Sequence, residues 1–214
     1  MNNKISIVPA VLTDNPTTLK EMLAVAEAFT DFVQIDIMDG LFVPSNSISA
    51  EDISQVKTRL KWEAHLMVVN PESYIDDFVK AGAYQIIFHY ESTEIPGNII
   101  DMIHKAGVKA GIAINPDTDI SVLASLVNKL DSVLFMSVVP GFYGSKFIPE
   151  VLDKIRDFRE VYPYVWTGID GGIKENNILE VAKTGVNSIC IGSAIFCRDN
   201  PAESYRQLVS ICNI

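Results

Sequence analysis

Short apolar runs alternate with amphipathic stretches along this chain at a spacing of roughly 25–30 residues, the pattern of repeated strand–helix units. Alternating or continuously apolar segments predict strands over Ile5–Leu12, Phe32–Ile37, Lys61–Met67, Gln85–His89, Lys109–Ile114, Ser132–Val138, Val165–Ile169 and Ser188–Ile191. Between them, helical periodicity predicts helices near Thr17–Ala28, Ala50–Arg59, Pro71–Ala81, Gly97–Ala106, Ile120–Leu130, Pro149–Glu160, Lys174–Thr184 and Pro201–Cys212. Asn70-Pro71-Glu72 has the make-up of a helix start: a cap, a first-turn proline and an early acid. Gly82, Gly107 and Gly185 each follow a helical run, where a left-handed residue closes the helix. Eight such pairs, with no linker or low-complexity segment, predict an α/β fold: a single (β/α)8 TIM barrel spanning residues 1–214 as one domain. An open doubly wound sheet would need fewer strands and a glycine-rich first turn, whereas this first turn reads Pro9-Ala10-Val11-Leu12-Thr13.

Composition narrows the function. The 214 residues are 48% hydrophobic, enough for one large core. A formal net charge of −10 argues against nucleic acid or an anionic membrane as partner. It leaves a phosphorylated small molecule open, because backbone N–H groups can hold phosphate inside an acidic protein. No apolar run reaches membrane-spanning length, and Met1-Asn2-Asn3-Lys4 does not read as a signal peptide. Cys190, Cys197 and Cys212 have neither paired nor metal-type spacing; they fit buried free thiols in a reducing, cytoplasmic setting.

The chemistry is sought where strands run into the following helices. Three polar residues stand there: Asp36 after Phe32-Val33-Gln34-Ile35, His65 after Leu60-Lys61-Trp62-Glu63-Ala64, and Asp170 after Val165-Trp166-Thr167-Gly168-Ile169. A polar side chain at the end of a buried strand is costly without partners, and in a closed barrel these ends converge on one mouth. Ile35 and Ile37 want the layer beneath the helices, so alternation turns Gln34, Asp36 and Met38 toward the interior. Asp39 reads as a turn residue beside Gly40, His89 as a supporting residue at the end of strand four, and His104 as ordinary helix surface. Glycine-bearing turns follow strand six (Pro140-Gly141-Phe142-Tyr143-Gly144-Ser145), strand seven (Gly171-Gly172) and strand eight (Gly192-Ser193), the last two where barrels bind phosphate. Two carboxylates and an imidazole at one mouth suggest proton transfer beside a metal. Two acids can exchange a proton with one carbon from its two faces, and a ketone beside that carbon gives an enediolate. The product is the epimer.

These segments together resemble the ribulose-phosphate 3-epimerase family of phosphoketose epimerases. The matching stretches are Ile35-Asp36-Ile37-Met38-Asp39-Gly40 with Phe42-Val43-Pro44, His65-Leu66-Met67, Phe88-His89-Tyr90-Glu91, Ala113-Ile114-Asn115-Pro116, Met136-Ser137-Val138, Pro140-Gly141-Phe142, Asp170-Gly171-Gly172 and Gly192-Ser193-Ala194-Ile195-Phe196. The resemblance implies a divalent metal (zinc, iron, manganese or cobalt) on two histidines and two aspartates, of which Asp36, His65 and Asp170 are present. It also implies that Asp36 and Asp170 are the acid/base pair. Met38, Met67 and Met136 would line the site with His65, and phosphate would sit on backbone amides around Gly141 to Gly144, including Phe142 and Tyr143, and at Gly171, Gly172, Gly192 and Ser193. The implied partner is a phosphorylated ketose, turning ribulose 5-phosphate into xylulose 5-phosphate, and the implied assembly is a homo-oligomer. Two departures stand out. Gln34 occupies the place of the fourth ligand, a histidine, and offers a neutral, weaker donor; Ala10 stands where a serine is usual. Ser45 to Ala50 also lacks the usual Gly-Pro, and Tyr143 and Ser145 replace a common glycine and glutamine. Such clustering leaves two other expectations open: an epimerase for a six-carbon ketose phosphate, or a phosphosugar-binding homologue with impaired metal binding.

Overall fold

In the computed structural model, which describes residues 4–141 and 144–212, eight parallel strands close on themselves in sequence order. They are β1 (Ser6–Val11), β2 (Phe32–Met38), β3 (Lys61–Met67), β4 (Gln85–His89), β5 (Lys109–Ile114), β6 (Ser132–Met136), β7 (Trp166–Asp170) and β8 (Ser188–Ile191). Helices α1 (Pro16–Ala26), α2 (Ala50–Ser54), α3 (Ile75–Lys80), α4 (Pro96–Lys105), α5 (Val151–Val161), α6 (Ile178–Ala182), α7 (Ser193–Phe196) and α8 (Pro201–Cys212) are interleaved with them. None of the described helices is long and apolar enough to cross a membrane.

Strand alternation builds two cores. Val33, Ile35 and Ile37 of β2, Trp62, Ala64 and Leu66 of β3, and Val133 and Phe135 of β6 belong to the large cluster under the helices. The alternate positions Val8, Ala10, Ile87, Ala113, Leu134, Met136 and Cys190 fill a second cluster inside the barrel. The same alternation sends Gln34, Asp36, Glu63 and His65 inward, and all four are buried. The β2–β3 register pairs Gln34 with Glu63 and Asp36 with His65, so one rung carries an acid and an imidazole side by side.

Local sequence explains where the helices begin. Asn15 accepts hydrogen bonds from Thr17 N–H and Thr18 N–H with Pro16 in the first turn, and Ser49 forms a reciprocal capping box with Asp52. Several helices are shorter than predicted because side chains from elsewhere claim their backbone. The stretch beyond Ser54 is drawn away where Glu27 Oε1 accepts Thr58 Oγ1–H (2.7 Å) and Arg59 N–H (2.9 Å). The predicted start at Lys174 becomes a turn, since Asn177 Oδ1 takes Lys174 N–H and Asn177 Nδ2 donates to Gly172 O. The predicted helix over Ile120–Leu130 is two 3-10 turns, Ile120–Leu123 and Val127–Lys129, in a segment of β-branched residues and serines that favour helix poorly. Asn70 does not cap with its side chain; it takes a left-handed φ of 51° ahead of a 3-10 turn at Pro71–Ser73. β6 ends at Met136, short of the predicted Val138; Ser137 still donates its N–H (2.7 Å) and Oγ (3.0 Å) to Asp170 O.

Candidate active site

Asp36, His65 and Asp170 meet at the carboxyl end of the barrel, each offering a ligand atom within 4.8 Å of the others. His65 Nδ1 lies 2.9 Å from Asp36 Oδ1 and 3.5 Å from Asp170 Oδ2. Beneath them Gln34, wholly buried, donates from Nε2 to Asp36 Oδ1 (2.9 Å) and to Asp170 Oδ2 (2.7 Å), joining β2 to β7 across the barrel. His65 Nε2 is 2.9 Å from His89 Nε2, and His89 Nδ1 faces Glu91 Oε2 at 3.4 Å. Glu91 is fixed in turn by the Asn115 N–H (2.8 Å) and by the Thr118 hydroxyl. The result is a line from Asp36 through two buried imidazoles to the partly exposed Glu91 carboxylate just past β4, which orients the His65 ring.

The electrostatics divide the acids. Burial, and after it the Asp36 charge, raise the Asp170 carboxyl to about 7 against the pull of His65, Gln34 and the Gly171 N–H. Burial opposes charge on His65, but the hydrogen bond and charge of Asp36, with the charges of Asp170 and Glu63, prevail and raise it. His89 is lowered to about 4, chiefly by burial, and is neutral at pH 7. Burial would raise Glu91, yet the bonds from His89, Asn115 and Thr118 lower it. An acid pushed up in this way beside a second acid on the opposite wall is a division that proton transfer can use.

The sequence-predicted residues share one cleft. Met38, Met67 and Met136 line it with the acids, as do Gly141, Gly144, Gly171, Gly172, Gly192 and Ser193. Phe142 and Tyr143 lie outside the described residues. Asp39 does more than turn the chain: Oδ1 accepts the Leu41 and Phe42 N–H groups, and Oδ2 accepts Val69 N–H (2.7 Å), tying the ends of β2 and β3 together. The serines that replace the expected Gly-Pro also have partners. Ser47 Oγ binds Met38 N–H and Asp36 O at the strand end, and Ser45 Oγ donates to Gly141 O (2.6 Å), linking the loops after β2 and β6. Sequence reasoning missed Lys174, which lines the cleft just past the Gly171-Gly172 turn; a cation there in a strongly acidic chain was its signal. It also left Glu91 without a role, although an acid next to the strand-end His89 marked the place.

The Gly171-Gly172 turn needs its glycines. Gly172 has φ +66°, and an added Cβ would lie 2.9 Å from the Phe147 backbone nitrogen; one on Gly171 (φ +114°) would meet Val138 Cγ2 at 2.5 Å. Gly172→Ala is therefore expected to cost about 1–3 kcal/mol, seen as a lower melting midpoint, and to weaken substrate binding more than turnover. An unchanged midpoint and KM would show that the loop shifts freely.

Residues 6–196 match the Ribulose-phosphate 3 epimerase family model. The chain belongs to the ribulose-phosphate 3-epimerase family. It is 39% identical over 213 residues to the ribulose-phosphate 3-epimerase of Synechocystis sp., covering 95% of this chain and 93% of that one. It is 36% identical over 212 residues to the ribulose-phosphate 3-epimerase of Aquifex aeolicus, covering 96% of each. Among solved structures, the 3-hexulose-6-phosphate synthase of Salmonella typhimurium superposes with a TM-score of 0.70 over 97% of this chain and 98% of that one; at 15% identity it supports the fold alone. Against the ligand set implied for the family, the donors fit in part. Asp36, His65 and Asp170 supply two carboxylates and an imidazole close enough for one divalent ion, while Gln34 presents its NH2 and leaves Oε1 buried without a partner.

Proposed function

We propose that this protein is a ketose-phosphate 3-epimerase that interconverts ribulose 5-phosphate and xylulose 5-phosphate. The observation that carries the reading is the convergence of Asp36 and Asp170, from strands β2 and β7, beside the glycine turns after β7 and β8. Backbone amides at Gly171, Gly172, Gly192 and Ser193, with those of the β6 loop, hold the phosphate, and Lys174 adds one positive charge at the rim. This anchoring leaves the keto end over the two acids. Asp36, as carboxylate, removes the proton from C3 on one face, next to the C2 ketone. Asp170, whose carboxyl burial and the Asp36 charge push up, returns one to the opposite face. In the reverse direction the two exchange roles. His65, held by His89, keeps Asp36 in place. A divalent ion on Asp36, His65 and Asp170 would supply Lewis-acid stabilisation of the charge that develops on the substrate oxygens. The methionines Met38, Met67 and Met136 keep water from the reacting carbon, which favours return of the proton at carbon over side reactions.

The test is direct. Purified protein is incubated with ribulose 5-phosphate, once supplemented with divalent metal and once with chelator, and xylulose 5-phosphate is followed with a coupled assay. Turnover on the five-carbon substrate is expected. Turnover confined to a six-carbon ketose phosphate, or binding with no turnover under either condition, would overturn the reading.

A further inference from the structure

The Gln34 carboxamide sits between the two acids, yet the epimerase reaction makes no use of it. Its Nε2 donates one hydrogen to Asp36 Oδ1 (2.9 Å) and the other to Asp170 Oδ2 (2.7 Å), and it lies 3.4 Å from His65 Nδ1. An amide nitrogen has no lone pair to give a cation, so in this orientation it faces the very atoms a divalent ion would need. Its Oε1 is buried and without a partner. The orientation is therefore chosen by the two carboxylates and not by any donor near the oxygen. Turning the amide over would bring Oε1 against the Asp36 oxygen, a repulsive arrangement unless a cation lay between them. The occupancy of the ion position and the direction of the amide are thus coupled.

We propose that the Gln34 carboxamide is a reversible clamp: with its NH2 inward it bridges Asp36 to Asp170 and keeps the metal-free site ordered, and a divalent ion is accepted only as the amide turns its oxygen inward. Ion and amide compete for the same carboxylate oxygens, so the ion is held loosely and the protein does not rely on it for its fold. The clamp acts on the empty and loaded states of the site, whichever sugar is turned over.

Zinc-stripped and zinc-loaded protein are compared by thermal melting, and Zn2+ binding is followed by calorimetry, for wild type, Gln34→His and Gln34→Met. Stripping is expected to leave the wild-type midpoint almost unmoved. Gln34→Met keeps the size of the side chain but has no donor, so its stripped form is expected to melt well below its loaded form, or to fold only when Zn2+ is present. Gln34→His, which offers a lone pair in place of N–H donors, is expected to bind Zn2+ at least roughly tenfold more tightly than wild type. In stripped wild type the Gln34 side-chain NH2 resonances are expected to resist solvent exchange, and to shift when Zn2+ is added. Wild type that loses as much stability on stripping as Gln34→Met, a histidine variant with no gain in affinity, or a Gln34 amide exchanging freely in the stripped protein would each overturn the clamp. Epimerase turnover is not among these readouts, so failure of the clamp and failure of the assay above are told apart.

Discussion

Asp36→Asn and Asp170→Asn are each expected to abolish net epimerisation, lowering turnover by about 10³-fold or more, because each removes the proton carrier of one face. Both substitutions keep the shape of the side chain, and the amide oxygen they leave can still accept the Gln34 Nε2–H, so the barrel is expected to stay folded. The informative measurement is made in deuterated solvent. The acid that remains can still remove a proton from its own face, exchange it and return it. Each variant is therefore expected to wash deuterium into C3 of one epimer only, and the two variants into opposite epimers. A single acid serving both faces would leave one variant converting substrate at close to the wild-type rate. That result, or exchange of both epimers by one variant, would remove the two-acid scheme while leaving family membership untouched.

The barrel was legible because its signal is local. In β2, Val33, Ile35 and Ile37 alternate with Gln34 and Asp36, and that period-2 pattern alone turns the polar residues inward. The placement of Asp36, His65 and Asp170 followed from the same logic, since each stands at a strand end and all eight strand ends meet. What sequence could not supply were interactions closed over long distances. Gln34 was recognised as facing the interior, but the direction of its amide depends on Asp170, which lies 136 residues away along the chain. The early end of α2 depends on Glu27 taking Thr58 and Arg59, 31 and 32 residues distant. Likewise, the fixing of Glu91 by Asn115 and Thr118 uses donors from beyond the next strand. A propensity read residue by residue sees none of these partners. Helix boundaries and supporting residues were accordingly the places where structure departed from expectation, whereas strand order and the acid pair were not.

The second large effect is on stability and comes from Glu63. It points inward one rung below His65, at the amino end of the barrel, where Gln85, Ser132, Trp166 and Ser188 surround a cavity of about 290 Å³. Gln85 Nε2 donates to Ser132 and Trp166 Nε1 donates to Ser188 (3.2 Å), so these neighbours are already engaged with one another. Burial, helped by the Asp170 and Asp36 charges and opposed by His65, raises the Glu63 carboxyl to about 8. An unfolded chain releases the same proton near 4.5. Between those values the folded protein holds a proton that the unfolded protein has lost, so rising pH favours unfolding across the whole interval and has no further effect above it. At about 1.4 kcal/mol per pH unit, the carboxyl costs roughly 3 kcal/mol at pH 7 and nearly 5 kcal/mol above pH 8, and nothing near pH 4. Glu63→Gln keeps the size and polarity of the neutral acid without the ionisation. It is expected to stabilise the fold by about 2–3 kcal/mol at pH 7, a rise of several degrees in melting midpoint for a chain of this length, and to be neutral at pH 4. The check is denaturant unfolding of both proteins from pH 4 to pH 9. A wild-type curve that falls no more steeply between pH 5 and pH 8 than the variant's would mean that Glu63 ionises freely in the folded protein, through water reaching it from the cavity. A steeper wild-type fall that levels off near pH 8 would identify this carboxyl as a standing cost at the foot of a barrel whose chemistry lies at the other end.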